Sequence, residues 1–271
     1  MAKVDNDERI KFKKKTVPYR EAAEKILNEE QVVREMIERN EPNSAFKRLD
    51  LADAMLNLAS NYLVINGVSL SIQDQKSEEA LKEARKSTYK GVIYLEEVVS
   101  NAIDESFSDY EDKLEAIESV SAAQRFLLIR KMGLTIQLLE DAYGENTKWR
   151  WAFVELEGRF AAVAKNMLNL RTVMVDSDPR SPNYAPTVLH LRMARKLLMQ
   201  AANRYRERYE LSTNSIEDFK MGISFLSALR RLNTLTGAHL DAANVKKQLE
   251  AWTNKLTADM IKLKIQSGGK E

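Results

Sequence analysis

Scarcity of glycine and proline is the feature that most limits the folds open to this chain. Of 271 residues, nine are glycine and five are proline, whereas average proteins contain about 7% glycine and about 5% proline. An all-β fold of many short strands needs a Gly, Asn or Pro turn signal at each hairpin. The sequence therefore favours long helices joined by short loops over an all-β fold.

Apolar residues recur at the helical spacing of three and four through most of the chain. A helix predicted for about residues 44–65 is apolar on most sides, so we expect it to be central. Eight apolar residues follow a strict spacing of four and three: Trp149, Phe153, Leu156, Phe160, Val163, Met167, Leu170 and Met174. Such a seam requires a partner helix along roughly 40 Å. Because short loops place consecutive helices antiparallel, the sequence predicts an all-α fold of about eight long antiparallel helices, in a multi-helix bundle or an array of helical hairpins.

The ends of two predicted helices depend on capping signals. Asn66-Gly67 predicts the end of the second helix, because glycine readily adopts the left-handed C-cap. After it, the alternating segment 68–72 allows a short extended piece. Ser108 and Glu111 form a candidate capping box, and Ser121 with Gln124 forms a second. Residues 109–143 are therefore one helix or two.

The domain organisation is predicted from periodicity and from the positions of the prolines. Residues 1–18 include a run of lysines and no helical period, which predicts a flexible basic arm. Residues 19–265 are predicted to form a single helical domain. The loop at 175–186 holds three of the five prolines and is a candidate subdomain boundary. The tail, residues 266–271, is predicted to be disordered.

The sequence lacks the common catalytic and cofactor motifs, apart from two isolated SxxK strings that begin at Ser44 and Ser87 and have neither companion motif of the β-lactamase-like enzymes. The chain has no cysteine, no glycine-rich phosphate loop and only two histidines, His190 and His239. Two-metal sites in helical bundles need glutamate three residues before histidine, and here those residues are Thr187 and Thr236. We therefore expect no catalytic residue, no cofactor, no metal site and no enzyme activity. Each histidine is expected to be a satisfied or exposed structural residue.

Charge is distributed unevenly although the net charge is only +2. Residues 93–141 contain 11 acidic and 4 basic side chains, and residues 180–265 contain 15 basic and 7 acidic. On a helical wheel four basic residues fall within about 100° of one another: Arg192, Arg195, Lys196 and Arg206. Arg230 and Arg231 add charge on a later helix. Arginine clusters suit carboxylates and phosphates, but the same residues could be a solvated face paired with the acidic segment.

Trp151 is a further candidate contact, since it points about 200° away from Trp149 and would anchor a partner if exposed. Asp50, Asp53 and Asn57 share one side of the second helix, as a polar groove or, preferably, as its exposed stripe. The sequence favours a non-enzymatic scaffold or adaptor that binds another protein through an inter-helix groove or the basic C-terminal face.

Phosphate or nucleic-acid binding by the arginine-bearing helices is the alternative function, with nucleic acid the less favoured ligand because the overall charge is balanced. No apolar run approaches the roughly 18 residues that cross a bilayer. We therefore expect no membrane contact and a cytoplasmic location. The oligomeric state stays open, because the heptad seam could be satisfied within the chain or by a second copy.

Overall fold

The computed structural model describes residues 5–144 and 149–268, and the side chains as far as residue 262. Within these residues it has ten α-helices, eight of them of seven residues or more, and no strands, which confirms the predicted all-α fold. The helices are α1 (Asn6–Glu38), α2 (Ser44–Gln73), α3 (Glu78–Val99), α4 (Glu111–Glu115), α5 (Ala122–Tyr143), α6 (Ala152–Asn166), α7 (Val173–Asp176), α8 (Tyr184–Arg208), α9 (Ile216–Leu235) and α10 (His239–Gly268).

The chain divides by its contacts into two compact units. Unit 1 contains Met1–Val99, Glu115–Val120 and Leu127–Arg150, and unit 2 contains Ser100–Leu114, Ser121–Phe126 and Trp151–Glu271. The chain therefore passes between the units five times, and none of these points lies in the proline-rich segment 175–186. That segment belongs to unit 2, where its central turn is held by Asp176, whose Oδ1 accepts hydrogen bonds from Ser181 and Asn183.

Unit 1 is built on α1, α2, α3 and the larger part of α5. Helix α2 runs antiparallel to α3, because Arg48 near its start pairs with Glu97, and Asn66 near its end accepts a hydrogen bond from the backbone of Ser77. The two helices approach closely at Gly91, where an added Cβ would lie 3.5 Å from the carbonyl oxygen of Ala52.

The segment predicted to be a flexible arm is helical from Asn6 onward. Asp5 caps the helix through the backbone N–H of Asn6, and the Glu8 carboxylate accepts from the backbone N–H of Asp5. Thr16 is fully buried and its hydroxyl donates to the carbonyl of Phe12. Capping and burial thus stabilise a helix whose apolar period is weak, and Pro18 lies inside it.

Helix α2 has the central position that its apolar composition predicts, with ten buried residues. The predicted stop at Asn66-Gly67 is wrong, and so is the extended piece after it, because the helix continues to Gln73. Gly67 faces open space, where helical glycine is tolerated. By length and composition alone α2 could also cross a membrane. This is weak evidence, because a core helix of a soluble protein passes the same test.

Residues 109–143 form two helices, α4 and α5, which settles the alternative left open by the sequence. The predicted box at Ser121 is present: its hydroxyl accepts from the Gln124 N–H, and the Gln124 side chain accepts from the Ser121 N–H. The box predicted at Ser108 is wrong. Ser106 and Asp109 form it instead, around a short 3-10 turn.

Unit 2 contains α6, α8, α9 and α10, which pack as successive antiparallel neighbours. Helix α8 lies against α6 and α9, and α9 lies against α10. Aromatic rings join α8 and the π-helical turn Tyr209–Thr213 after it to α9. Tyr205 stacks on Phe225 with centroids 5.6 Å apart, and Tyr209 stacks on Phe219 at 4.9 Å. Trp252 of α10 completes this cluster against Phe219.

The long seam predicted for residues 149–174 is confirmed only in its middle. Its five central residues are buried in or beside α6: Phe153, Leu156, Phe160, Val163 and Met167. Helix α6 ends at Asn166, so Trp149, Leu170 and Met174 lie outside it, and the last of these is exposed. The continuous 40 Å helix is therefore wrong: after Asn166 the N–H of Leu168 bonds to the carbonyl of Lys165 and no longer continues the α-helical pattern.

Candidate binding surface

Two predicted binding residues, Arg192 and Lys196, lie one turn apart on the exposed side of α8. Neither side chain has a hydrogen bond or an ion pair within residues 5–144 and 149–262. Arg230, on the exposed side of α9, likewise has no such partner in that part of the chain. No described residue therefore occupies the donors of these three side chains.

Arg195 and Arg206 are engaged by neighbours of their own unit. Arg195 donates from Nη2 to the hydroxyl of Thr236 at 2.6 Å. Arg206 donates from Nε to Glu210 at 3.1 Å, and its guanidinium lies 5.2 Å from the ring of Trp252. Arg206 therefore has its charge compensated within the fold.

Arg231 lies in a different place, where its Nε donates to Asp104 at 2.8 Å. Arg231 and Asp104 thus form an ion pair between the basic C-terminal third and the acidic segment 93–141. The sequence left such pairing open as the alternative to a binding face. The predicted basic face is thus brought together only in part. Arg192, Arg195 and Lys196 share one stretch of α8, and Arg206 lies about 16 Å further along the same helix.

Trp151 is half-buried rather than exposed. It precedes α6 and packs against the apolar core of unit 2. Its carbonyl oxygen is 3.5 Å from Nη1 of Arg208. Because Trp151 is partly covered by the core of its own unit, it exposes less surface to a partner than a fully exposed anchor residue would.

The turn of α8 that bears Arg192 and Lys196 lies beside the end of α9 and the start of α10. Arg195 reaches Thr236 directly. Burial lowers the pKa of Arg195, and the nearby Asp241 in the first turn of α10 opposes that shift. Met174 of α7 approaches as well, with Cε 3.7 Å from the point where a Cβ on Gly237 would stand.

Exposed apolar side chains accompany the free cations at this end of unit 2. We define the α8 end surface as the two cations and four apolar residues: Arg192, Lys196, Leu189, Met174, Val175 and Leu240. Leu240 is 84% exposed and Val175 is 72% exposed. Contiguous exposed apolar side chains beside charged groups are typical of sites that bind another molecule.

His190 is a structural residue of unit 2. Its Nε2 lies 2.8 Å from the carbonyl oxygen of Ala164, which has lost its helical partner because the N–H of Leu168 bonds to Lys165 instead. A carbonyl only accepts, so Nε2 carries the proton. Burial lowers the pKa of His190 to about 4, and the ring is neutral at pH 7. His239 is exposed, which is the other of the two structural roles predicted for the histidines.

Lys165 is the chemically unusual residue that sequence reasoning missed. Its side chain is 4% exposed, and its Nζ lies 5.2 Å from the centre of the Tyr110 ring. Burial lowers the pKa of Lys165 to about 8, against smaller opposing effects of Asp104 and Glu105. Burial also raises the pKa of Tyr110 to about 12, so the phenol stays protonated.

A signal for Lys165 was present in the sequence. Ala161 and Leu168, four residues before it and three after it, are apolar and buried, which places the lysine on a buried side of α6. Asn166 follows it and is fully buried; its Nδ2 donates to the carbonyls of Ser100 and Ala102. These contacts come from distant parts of the chain and have no local sequence pattern.

Helix α1 borders a groove of about 430 Å³ in unit 1. The residues on its α1 side are mostly charged: Leu27, Glu30, Gln31, Arg34, Glu35 and Glu38. The buried Glu30 is fully engaged, since Lys90 donates to both of its oxygens and the Tyr94 hydroxyl donates at 2.6 Å. Arg34 and Glu38 pair with each other along α1. The groove therefore offers mainly compensated charge.

The polar stripe of α2 is a solvated surface, as the preferred alternative predicted. Asp50 and Asn57 are exposed, and Asp53 is half-buried. Lys131 of α5 donates to Asp53 at 2.5 Å and to Asn57 at 2.9 Å. Among the described residues, no group of three His, Cys, Asp or Glu side chains is placed to hold a metal ion.

Comparison with protein families places the chain in the TP0443 family, which matches residues 8–260. The chain belongs to this family over nearly its whole length. Neither the curated proteins nor the solved structures contain a match to it.

Proposed function

We propose that the chain is a non-enzymatic helical adaptor that binds an acidic, leucine-bearing segment of another protein at the α8 end surface. The observation that carries the proposal is the pair of exposed cations, Arg192 and Lys196, without partners in the described residues and beside exposed apolar side chains. A carboxylate can accept both donors of the arginine fork.

The surrounding side chains favour a protein as ligand. Leu240 and Val175 are apolar and strongly exposed, and burying such residues against a partner is favourable by roughly 25 cal/mol per Å². Protein interfaces combine apolar contacts of this kind with charged residues at their rim. Nucleic-acid interfaces are more polar and more densely basic.

Phosphate or nucleic-acid binding remains the second candidate, since Arg230 adds a third exposed cation without a partner in the same described residues. Its signature is binding that weakens steeply with salt. Retention on heparin or DNA that is lost in Arg192→Ala, Lys196→Ala and Arg230→Ala would support this candidate over the first.

The experiment measures binding of fluorescent acidic peptides, with and without leucine, to the full chain. We expect the leucine-bearing peptide to bind more tightly. Both Arg192→Glu and Leu240→Asp should weaken its binding at least about tenfold, which corresponds to about 1.4 kcal/mol, because each places a negative charge opposite the acidic peptide. Lys82→Glu is the matched control, because Lys82 is an exposed lysine of α3. Equal binding by Arg192→Glu and Lys82→Glu would contradict the proposal.

A further inference from the structure

A strip of exposed leucines follows the outer side of α5 in unit 1. Leu127, Leu134 and Leu138 are 63%, 60% and 48% exposed. Their spacing of seven and four places them within about 40° of one another on the helix. The opposite side of α5 is fully buried at Ile129, Met132 and Leu139, so packing in the core does not require the outer leucines.

Helix α2 extends this strip. Lys131 of α5 bonds to Asn57 of α2, and the carbonyl of Tyr143 at the end of α5 bonds to Lys76, which follows α2. The two helices therefore run side by side in the same direction. Val64, 41% exposed, and Gly67, which has no neighbouring atom within 4 Å of an added Cβ, lie further along the same side of α2 as Asn57.

Two unmatched charges flank the leucines on α5. Arg130 is exposed and has no acidic partner within the described residues. Asp141 is exposed, and among the described residues its carboxylate accepts only a neutral hydrogen bond, from Gln137. They lie eleven residues apart, about 16 Å along the helix, so they cannot meet within one chain.

We propose that this α2–α5 face binds a second copy of the chain, with the two α5 helices antiparallel about a twofold axis. In that register Leu134 of each copy faces the other copy's Leu138. Asp141 of each copy comes beside the other copy's Arg130. A twofold interface must be complementary to itself, and a cation and an anion at opposite ends of one leucine strip satisfy this condition.

The charge arrangement favours a second copy over an unrelated partner. A partner of one charge sign would leave Arg130 or Asp141 facing a like charge. In the antiparallel pair the contact between Arg130 and Asp141 occurs twice, once on each side of the twofold axis. Leu134 and Leu138 of each copy are covered by the same two leucines of the other copy. The face belongs to unit 1, and the inference does not depend on the α8 end surface.

The first measurement is the mass of the full chain by light scattering over a range of concentrations. We expect it to rise from 31.0 kDa toward twice that value. Leu134→Glu and Leu138→Glu should each raise the dimer dissociation constant at least about tenfold, because each buries a charge in the interface twice. Leu211→Glu, at a leucine of unit 2 that is 68% exposed, is the matched control. A mass of one chain at every concentration, or equal dimerisation of Leu134→Glu and wild type, would overturn the proposal.

A charge exchange tests the antiparallel register. Arg130→Asp and Asp141→Arg should each weaken the dimer, and the variant with both changes should recover most of the affinity. Because the two positions do not meet within one chain, recovery requires contact between copies. Weakening by each change without recovery would overturn the register. Circular dichroism of each variant checks that the helices are intact, and these exposed positions tolerate either charge.

Discussion

At the residue scale, Lys165 is a cation that folding removes from water without giving it an ion pair in the described residues. Its Nζ faces the ring of Tyr110, and a cation–π contact of this kind contributes about 1–2 kcal/mol. Burial is the larger effect, since it lowers the pKa of Lys165 to about 8. The neutral amine is therefore favoured in the folded chain more than in the unfolded one.

This shift predicts how stability depends on pH. Between about pH 8 and pH 10 the unfolded lysine keeps its proton while the folded one loses it, so the free energy of unfolding should rise with pH. A shift from 10.5 to about 8 corresponds to about 3 kcal/mol at most. In Lys165→Met this rise should be absent, and below pH 8 the variant should be the more stable protein. Urea denaturation at several pH values measures both effects.

Lys82→Met is the control for this prediction, because Lys82 is exposed and its replacement should leave the pH dependence unchanged. Above pH 10 the raised pKa of Tyr110 acts in the opposite direction, so the comparison is made below that value. Parallel curves for wild type and Lys165→Met between pH 8 and pH 10 would show that the lysine is not desolvated by folding.

At the element scale, α1 is fixed to α3 by one buried carboxylate. Glu30 is 4% exposed, and it accepts hydrogen bonds from Lys90 and from the hydroxyl of Tyr94. Burial and the bond to Glu30 raise the pKa of Tyr94 well above its usual value, so the phenol remains a donor. Both donors belong to α3, so the carboxylate links α1 to α3, while α1 packs mainly against α2.

Replacing Lys90 alone should destabilise the chain more than replacing Lys90 and Glu30 together, because the single change leaves a buried carboxylate without its cation. Lys90→Met leaves Glu30 buried beside Tyr94 alone, and we expect a loss of about 1–3 kcal/mol in the free energy of unfolding. This is less than the 3–5 kcal/mol typical of fully buried pairs, because Lys90 is 44% exposed. Replacing Glu30 by Gln in the same chain should recover part of the loss. Urea denaturation of the single and double variants measures it, and additive losses would contradict the coupling.

The sequence predicts which segments are helical better than it predicts where each helix ends. The apolar composition of α2 correctly predicts its central position, since an all-round apolar helix must be packed on most sides. Its end is missed because Asn66, which suggests a stop, is instead buried and accepts from the backbone of Ser77. A contact with a residue eleven positions away overrides a local capping preference.

The same distinction applies to the candidate sites. The exposed cations Arg192 and Lys196 were predictable, because a charged stripe on an amphipathic helix follows from its period. The compensation of Arg206 by Trp252 was not, since it depends on how α10 packs against α8. Lys165 was missed for a related reason. The apolar period marks its side of α6 as buried, but a lysine in that position suggests that the buried side is interrupted there, and not that the lysine itself is buried.

At the scale of the whole molecule, the order of segments along the chain does not match the two compact units. Unit 2 includes two early pieces, Ser100–Leu114 and Ser121–Phe126, that lie far from α6–α10 in sequence. Several basic residues of the C-terminal third are compensated within unit 2, as the pair between Arg208 and Asp218 illustrates. The early pieces supply acidic partners for other basic residues of this third, as Asp104 does for Arg231.

This arrangement predicts that residues 151–268 alone form an incomplete unit. The isolated fragment lacks Ser100 and Ala102, whose carbonyls bind the buried Asn166, and it lacks Tyr110, a residue that is 3% exposed. Loss of one buried aromatic and of two hydrogen bonds to a buried amide should cost at least about 3 kcal/mol. The fragment should therefore unfold at lower urea concentration than the full chain, as followed by tryptophan fluorescence.

A peptide of residues 100–126 added to this fragment should restore stability, because it returns those carbonyls, Tyr110 and the Phe126 ring that lies 6.0 Å from His190. The stabilisation should grow with peptide concentration, since a ligand that binds only the folded form shifts unfolding by mass action. A peptide with Tyr110→Ala should restore much less, which distinguishes specific packing from a general effect of added peptide. A fragment as stable alone as with the peptide would show that the early pieces are not part of the folded unit.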